Sequence, residues 1–181
     1  MAKDMRGLWA GLYPPGVSSL LPPDVDSTTY QLAAAWLDVD DWSVEDWGGG
    51  AGWAGQFFTH ARYQVVDGSI GVMRDLQAYR SDVDGILLRH VLEHNHNWQG
   101  ILANALASIR HRLVLVIFTP WSSGPTCQIA TNWAGIPDLS FNKDELLAHC
   151  HELFVKEESL PTRTQYHTET VLYFECRAMM G

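Results

Sequence analysis

Apolar residues along this 181-residue chain change their period several times, and each change marks an element. The first regular pattern is helical: Tyr30, Ala33, Ala34 and Leu37 recur at intervals of three and four behind Ser27, with Gln31 in the first turn. Residues 42–47 then read as a short strand, 48–52 as a glycine loop and 53–58 as the start of a helix. A second strand over 63–66 ends at Asp67, a brief third is expected around 72–76, and 83–88 make a fourth. Over 98–109 the residues Ile101, Leu102, Ala105, Leu106 and Ile109 form a helical stripe, so that Arg110, His111 and Arg112 fall where a helix should end and would complement its dipole. The unbroken apolar run 113–118 suits a central strand covered on both faces.

The stretch 120–141, with Trp121, Gly124, Trp133, Gly135 and Pro137, reads as a long irregular loop, a kind of segment that often carries function. A helix over 142–151 and two strands over 153–159 and 170–177 complete the chain, the last strand alternating in polarity. Residues 1–26 are rich in Gly and Pro and read as an arm or cap. Strands alternating with helices imply an α/β architecture with a mostly parallel sheet, and 181 residues imply one domain over 1–181.

Charge narrows the function. The net charge is -9, from 21 acidic and 12 basic side chains, whereas a nucleic-acid binder needs a basic footprint. No nucleic-acid partner is expected. No run approaches the ~20 apolar residues of a membrane span, and no secretory signal opens the chain, so no membrane association is expected. Cys127, Cys150 and Cys176 are odd in number and form no CxxC pair, which fits a reducing cytoplasm.

The chemistry concentrates in residues 44–53, Val-Glu-Asp-Trp-Gly-Gly-Gly-Ala-Gly-Trp. A strand runs into a loop with glycine at 48, 50 and 52, where the backbone can take positive φ and approach a ligand closely. Asp67 follows Asp46 by 21 residues, at the end of the next strand, where a carboxylate can accept from both hydroxyls of a ribose. Strand, glycine loop, helix start, strand and acid in this order outline a site for an adenosine-containing cofactor.

Asp46-x-Gly48-x-Gly50-x-Gly52 resembles the first motif of class I S-adenosylmethionine-dependent methyltransferases, and residues 84–94, Asp-Gly-Ile-Leu-Leu-Arg-His-Val-Leu-Glu-His, resemble the fourth-strand motif of their small-molecule, type 11-like branch. Residues 113–119 followed by Pro120 are similar to that family's fifth strand. The resemblance implies a three-layer Rossmann-like methyltransferase fold with an antiparallel last strand, here compact and lacking some helices, and S-adenosyl-L-methionine as cofactor. It also implies roles: Asp46 holds the glycine loop, Gly48, Gly50 and Gly52 form the floor, Asp67 with Gly68 beside it binds ribose, Asp75 and Leu76 flank adenine, and Arg89 lies where backbone meets the methionine part. This chain departs from the family in having Gly49 where Cys is common, only eight residues from Asp67 to Asp75, and no Pro-Gly-Gly before the fifth strand.

His90, Glu93, His94 and His96 crowd beyond the fourth strand. His94 is the first candidate base and His90 the second; no distant ligand accompanies them, and no metal is expected. Trp121, Trp133 and Asp138 are the expected acceptor-side residues, and Trp9 and Tyr13 of the arm are expected to close over the cofactor. The acceptor is expected to be a small molecule, a sugar or another polar ring hydroxyl. Two other readings stand beside this one: a catalytically inactive methyltransferase-like binding module, and a nicotinamide oxidoreductase in which Gly50, Gly52 and Gly55 supply GxGxxG.

Overall fold

The computed structural model describes residues 18–67, 72–150 and 152–176. Trp9, Tyr13 and Gly68 lie outside them. In chain order the elements are α1 (Thr28–Leu37), β1 (Ser43–Trp47), a 3-10 turn (Trp53–Phe57), β2 (Arg62–Asp67), β3 (Val72–Met73) and β4 (Val83–Arg89). A second 3-10 turn (Leu92–His94), α2 (Trp98–Leu106), β5 (Ile109–Ile117), β6 (Cys127–Thr131), β7 (Pro137–Ser140), α3 (Lys143–Leu147), β8 (Phe154–Pro161) and β9 (Thr168–Glu175) follow.

Seven strands form one sheet in the order β3-β2-β1-β4-β5-β9-β8, while β6 and β7 make a separate two-stranded sheet. β1 to β5 pair in parallel, β9 runs antiparallel to β5, and β8 runs antiparallel to β9. Side chains alternate across this sheet, and each face buries its own cluster. On one face Val44, Leu87, Val114, Val116, Val171 and Tyr173 pack against Tyr30, Ala33 and Leu37 of α1. On the other Trp47, Ile86, Leu88, Leu113, Leu115, Leu172 and Phe174 pack against Trp98, Ile101, Leu102 and Ala105 of α2 and Leu146 of α3. The expected three-layer α/β sheet with a reversed last strand is therefore present, and no helix among the described residues is long and apolar enough to cross a membrane.

Four local expectations change. The helix expected from Trp53 is a five-residue 3-10 turn. It stops because Asp38 accepts from the N–H groups of Thr59, His60 and Ala61 at 2.7 to 2.9 Å and draws the chain straight toward β2. α2 ends at Leu106 and Ile109 opens β5, so Arg110 and Arg112 are strand residues. Arg110 pairs with Asp82 and Asp84, and Arg112 with Glu175; they complement side chains and not a helix dipole.

The stretch 120–141 is no irregular loop, since it holds the β6–β7 hairpin. Asn132 Oδ1 accepts from Ala134 and Ile136, and Gly135 at φ +80 completes the reversal. The helix expected over 142–151 is confined to Lys143–Leu147, with the Asn142 side chain accepting from Glu145 N as its cap.

β3 is two residues long and pairs in parallel with the end of β2, Val66 opposite Val72 and Asp67 opposite Met73. A parallel crossover ordinarily needs a dozen or more residues because the chain must return along a whole strand. Here it must return along two residues, about 7 Å.

The centre of this sheet carries the stability. Leu87, fully buried between β1 and β5, should cost about 2–5 kcal/mol when replaced by Ala, read as a lower urea midpoint with an unchanged slope.

Candidate cofactor and acceptor site

Strand order reverses between β1 and β4, and the crevice beyond their carboxyl ends is where ligands of open α/β sheets bind. The glycine loop leaves β1 at this point. Gly48, Gly50 and Gly52 have φ of +77, +52 and +78, values that side chains strain to adopt. Gly48 N donates to Val66 O at 2.7 Å, and Gly50 N donates to Asp67 Oδ2 at 2.8 Å, so β2 and its terminal acid hold the loop.

Asp46 lies under the loop. A Cβ on Gly49 would stand 2.5 Å from Asp46 Oδ2, so the tight seat leaves room for glycine alone. Tyr63 donates its hydroxyl to the same oxygen at 2.5 Å. Burial pushes the Asp46 carboxyl up to about 7; Tyr63 and Arg89 oppose this, and the nearby Asp67 adds to it. Glu45 faces the other way and accepts from Trp47 Nε1 and Ser81 Oγ at 2.7 Å and from Tyr79 at 3.0 Å. It thereby ties down the chain that follows Asp75. Asp75 caps a turn, its Oδ1 accepting from Gln77 N at 3.1 Å, and Leu76 packs on the core beneath.

A charged network stands at the end of β4. Arg89 donates to Glu169 Oε1 at 2.6 Å, to Tyr30 Oη at 2.9 Å and to Thr29 Oγ1 at 3.1 Å, and its guanidinium lies 4.1 Å from the centre of the Tyr30 ring. His90 follows at φ +56, and its Nε2 bonds Glu169 while its Nδ1 faces Arg89 at 3.4 Å. Burial and the Arg89 charge push the His90 imidazole down to about 4, so it is neutral at pH 7 with both ring nitrogens engaged. Burial alone would raise Glu169; contact with His90, Arg89 and Thr29 outweighs that and keeps it below the usual carboxylate range.

Beyond this network lies a second cluster, of rings and acids. The Phe118 ring, leaving β5, has His90 at 4.8 Å, His94 at 5.4 Å and Tyr166 at 5.7 Å between ring centres. Glu93 is wholly buried; its Oε1 accepts from Phe118 N at 2.8 Å, and its Oε2 has no hydrogen-bond partner among the described residues. Burial pushes this carboxyl up to about 8. His94 Nδ1 lies 3.0 Å from Pro137 O and 3.3 Å from Asp138 Oδ1, and Tyr166 donates to Asp138 Oδ2 at 2.9 Å.

The structure therefore gathers Asp46, Gly48, Gly50, Gly52 and Asp67 at one end of the crevice, and Arg89, His90, His94 and Asp138 at the other. Trp121 is half-buried against the core with Lys143 near its ring, whereas Trp133 stands at the hairpin tip and is 87% exposed. Tyr63, Phe118, Tyr166 and Glu169 belong to the site and are absent from the sequence-level candidates. Glu169 had one visible signal, an acid beside the apolar alternation of the last strand; Tyr166 had none, since its turn is an ordinary polar one.

No family model and no curated protein matches this sequence. Solved structures do match. The 1,6-didemethyltoxoflavin-N1-methyltransferase of Burkholderia thailandensis, solved with 1,6-didemethyltoxoflavin and S-adenosylhomocysteine bound, is 21% identical with a TM-score of 0.66 over 83% of this chain and 79% of that one. Magnesium protoporphyrin IX methyltransferase from Synechocystis, solved with S-adenosylhomocysteine, is 14% identical with a TM-score of 0.61 over 82% of each chain. The N-methyltransferase NodS of Bradyrhizobium japonicum, also solved with S-adenosylhomocysteine, is 14% identical with a TM-score of 0.58 over 82% of this chain and 85% of that one. Strand order, reversed last strand and these likenesses agree: the chain has the class I methyltransferase fold.

Proposed function

We propose that this protein is an S-adenosylmethionine-dependent methyltransferase that acts on a small molecule bearing a polar ring hydroxyl. The observation that carries this reading is the joint between Gly50 and Asp67: a positive-φ glycine loop held by the acid that ends β2, at the reversal point of the sheet. Such a loop brings backbone close to a ligand, and the neighbouring carboxylate suits vicinal hydroxyls. Solved proteins of this fold hold S-adenosylmethionine or its demethylated product.

The cofactor supplies a sulfonium-activated methyl group. In this reading Gly48, Gly50 and Gly52 form its floor, Asp46 stiffens that floor from below, and Asp67 with Gly68 holds the ribose. Asp75 and Leu76 flank the adenine, and the backbone at Arg89 meets the methionine part. Methyl transfer depends mainly on alignment, which can remove on the order of 7–11 kcal/mol of barrier. A hydroxyl acceptor also needs a base within reach. His94 is assigned that role. His90, with both ring nitrogens engaged, is assigned to hold the end of β4, and Asp138 and Trp121 to the acceptor side, with Trp133 on the hairpin that flanks it.

Calorimetric titration with S-adenosylhomocysteine tests the reading, with NAD as control: binding of the former alone is expected, and binding of NAD alone would replace the reading by a nicotinamide one. Asp67→Ala should weaken S-adenosylhomocysteine roughly ten- to a hundredfold, because hydrogen bonds to a charged acceptor are worth about 1.5–3 kcal/mol each. Unchanged affinity would remove the ribose assignment.

Asp46 predicts a pH signature. Its carboxyl titrates at about 7 in the fold, above its unfolded value, so the native state binds the extra proton and the contribution is present in acid. Stability of the wild type relative to Asp46→Asn should therefore fall as pH rises from about 4 to about 7, followed by urea denaturation at each pH.

A further inference from the structure

The segment from Arg74 to Ser81 has no regular structure of its own and is held by side chains from two other elements. Arg74 N donates to Asp67 O at 3.2 Å, so Asp75 stands next to the acid that ends β2. The chain then closes a turn, with Ala78 N and Tyr79 N donating to Asp75 O at 2.9 and 2.8 Å. Asn104, a buried residue of α2, reaches this turn. Its Nδ2 donates to Leu76 O and to Gln77 O, each at 3.0 Å, and its Oδ1 accepts from Arg80 Nε at 3.1 Å. A carbonyl only accepts and a guanidinium only donates, so the amide has a single orientation and both of its N–H groups serve the turn.

β1 holds the same segment through Glu45. This carboxyl accepts from Tyr79 Oη and Ser81 Oγ, and also from Nε1 of Trp47, the residue before Gly48. The Trp47 and Tyr79 rings lie 5.2 Å apart between centres. One carboxyl therefore fastens the root of the glycine loop and the far side of the turn to each other. Glu45 is 7% exposed and Asn104 8%, so neither can exchange these partners for water. A buried acid in a strand and a buried amide in a helix are costly where an apolar side chain would pack. Here both are directed at one short segment.

We propose that Glu45 and Asn104 are positioning residues that fix the turn 75–79 beside Asp67 and thereby select the base of the cofactor. The assignment rests on the methyltransferase reading above, in which Asp75 and Leu76 flank the adenine. Adenine presents an amine donor beside a ring-nitrogen acceptor. Hypoxanthine presents the reverse, a carbonyl acceptor beside a ring N–H donor. A turn held in one place meets one of these patterns and rejects the other, whose groups are left unpaired. A turn able to shift accommodates both. Glu45 and Asn104 act through the Leu76 and Gln77 carbonyls and the Tyr79 and Ser81 hydroxyls, not through contact with the base.

Calorimetric titration of the full chain with S-adenosylhomocysteine and with S-inosylhomocysteine, which carries hypoxanthine in place of adenine, tests this. The wild type should prefer the former roughly tenfold or more. Asn104→Ala should weaken S-adenosylhomocysteine roughly tenfold and leave S-inosylhomocysteine about where it was, so that the ratio falls toward one. A general loosening of the fold would lower both affinities together, and the ratio separates the two effects. Tyr79→Phe combined with Ser81→Ala, which frees the turn from Glu45 and keeps the bond from Trp47, should lower the ratio in the same direction. It carries the test if urea denaturation finds Asn104→Ala unfolded.

A wild-type ratio near one, or a ratio left unchanged by a folded variant, would overturn the positioning while cofactor binding stands. Absence of binding of either ligand by the wild type would remove the methyltransferase reading, and the selection of a base with it.

Discussion

The bond between Arg89 and Glu169 joins three parts of the protein at one point. Arg89 ends β4, Glu169 lies at the start of β9, and the same guanidinium reaches Thr29 and Tyr30 on α1. Glu169 is 1% exposed, so the two charges are affordable only together; removal of either leaves the other buried and unpaired, a loss of about 3–5 kcal/mol. The pair also decides the state of His90. Glu169 accepts from it and Arg89 faces its second nitrogen, which keeps the ring neutral and fixed just where the chain turns out of β4 at positive φ.

That fixed corner separates two environments. On one side Asp46 and Asp67 face a loop of glycines, both acids held by specific donors, Tyr63 for the first and Gly50 for the second. On the other, Phe118 packs against His90, His94 and Tyr166, and Glu93 pins its backbone. Two carboxyls titrate well above the ordinary range, Asp46 at about 7 and Glu93 at about 8, both through burial. Groups perturbed in this way concentrate at functional sites, and here they flank the crevice from both ends.

The economy of the fold lies on the β2–β3 edge. β3 pairs with β2 over two residues, and the chain beyond it continues into the Asp75 turn, held by Tyr79 and Ser81 on Glu45. The glycine loop is followed by a 3-10 turn and not a full helix, so the loop is supported by Val66 and Asp67 of β2 in addition to its own turn. The shortness of this edge leaves β1, β4 and β5 intact, and with them the glycine-loop end of the crevice.

The sequence by itself determined what depends on near neighbours. A strand ending in glycines at 48, 50 and 52, an acid closing the next strand, and an apolar run through 113–118 are local patterns, and each maps onto the observed element because backbone sterics and side-chain alternation act within a few residues. Tertiary structure decided the rest. Ile109 fits the end of a helical stripe as well as the first residue of a strand, and only pairing with Val83 assigns it to β5. Arg110 and Arg112 take their roles from Asp82, Asp84 and Glu175, and Tyr166 enters the site only because β9 reverses beside β5. The physical reason is the same in each case: periodicity records which side of an element is apolar, whereas the partner of a charge or a hydroxyl is set by which strands come to lie side by side.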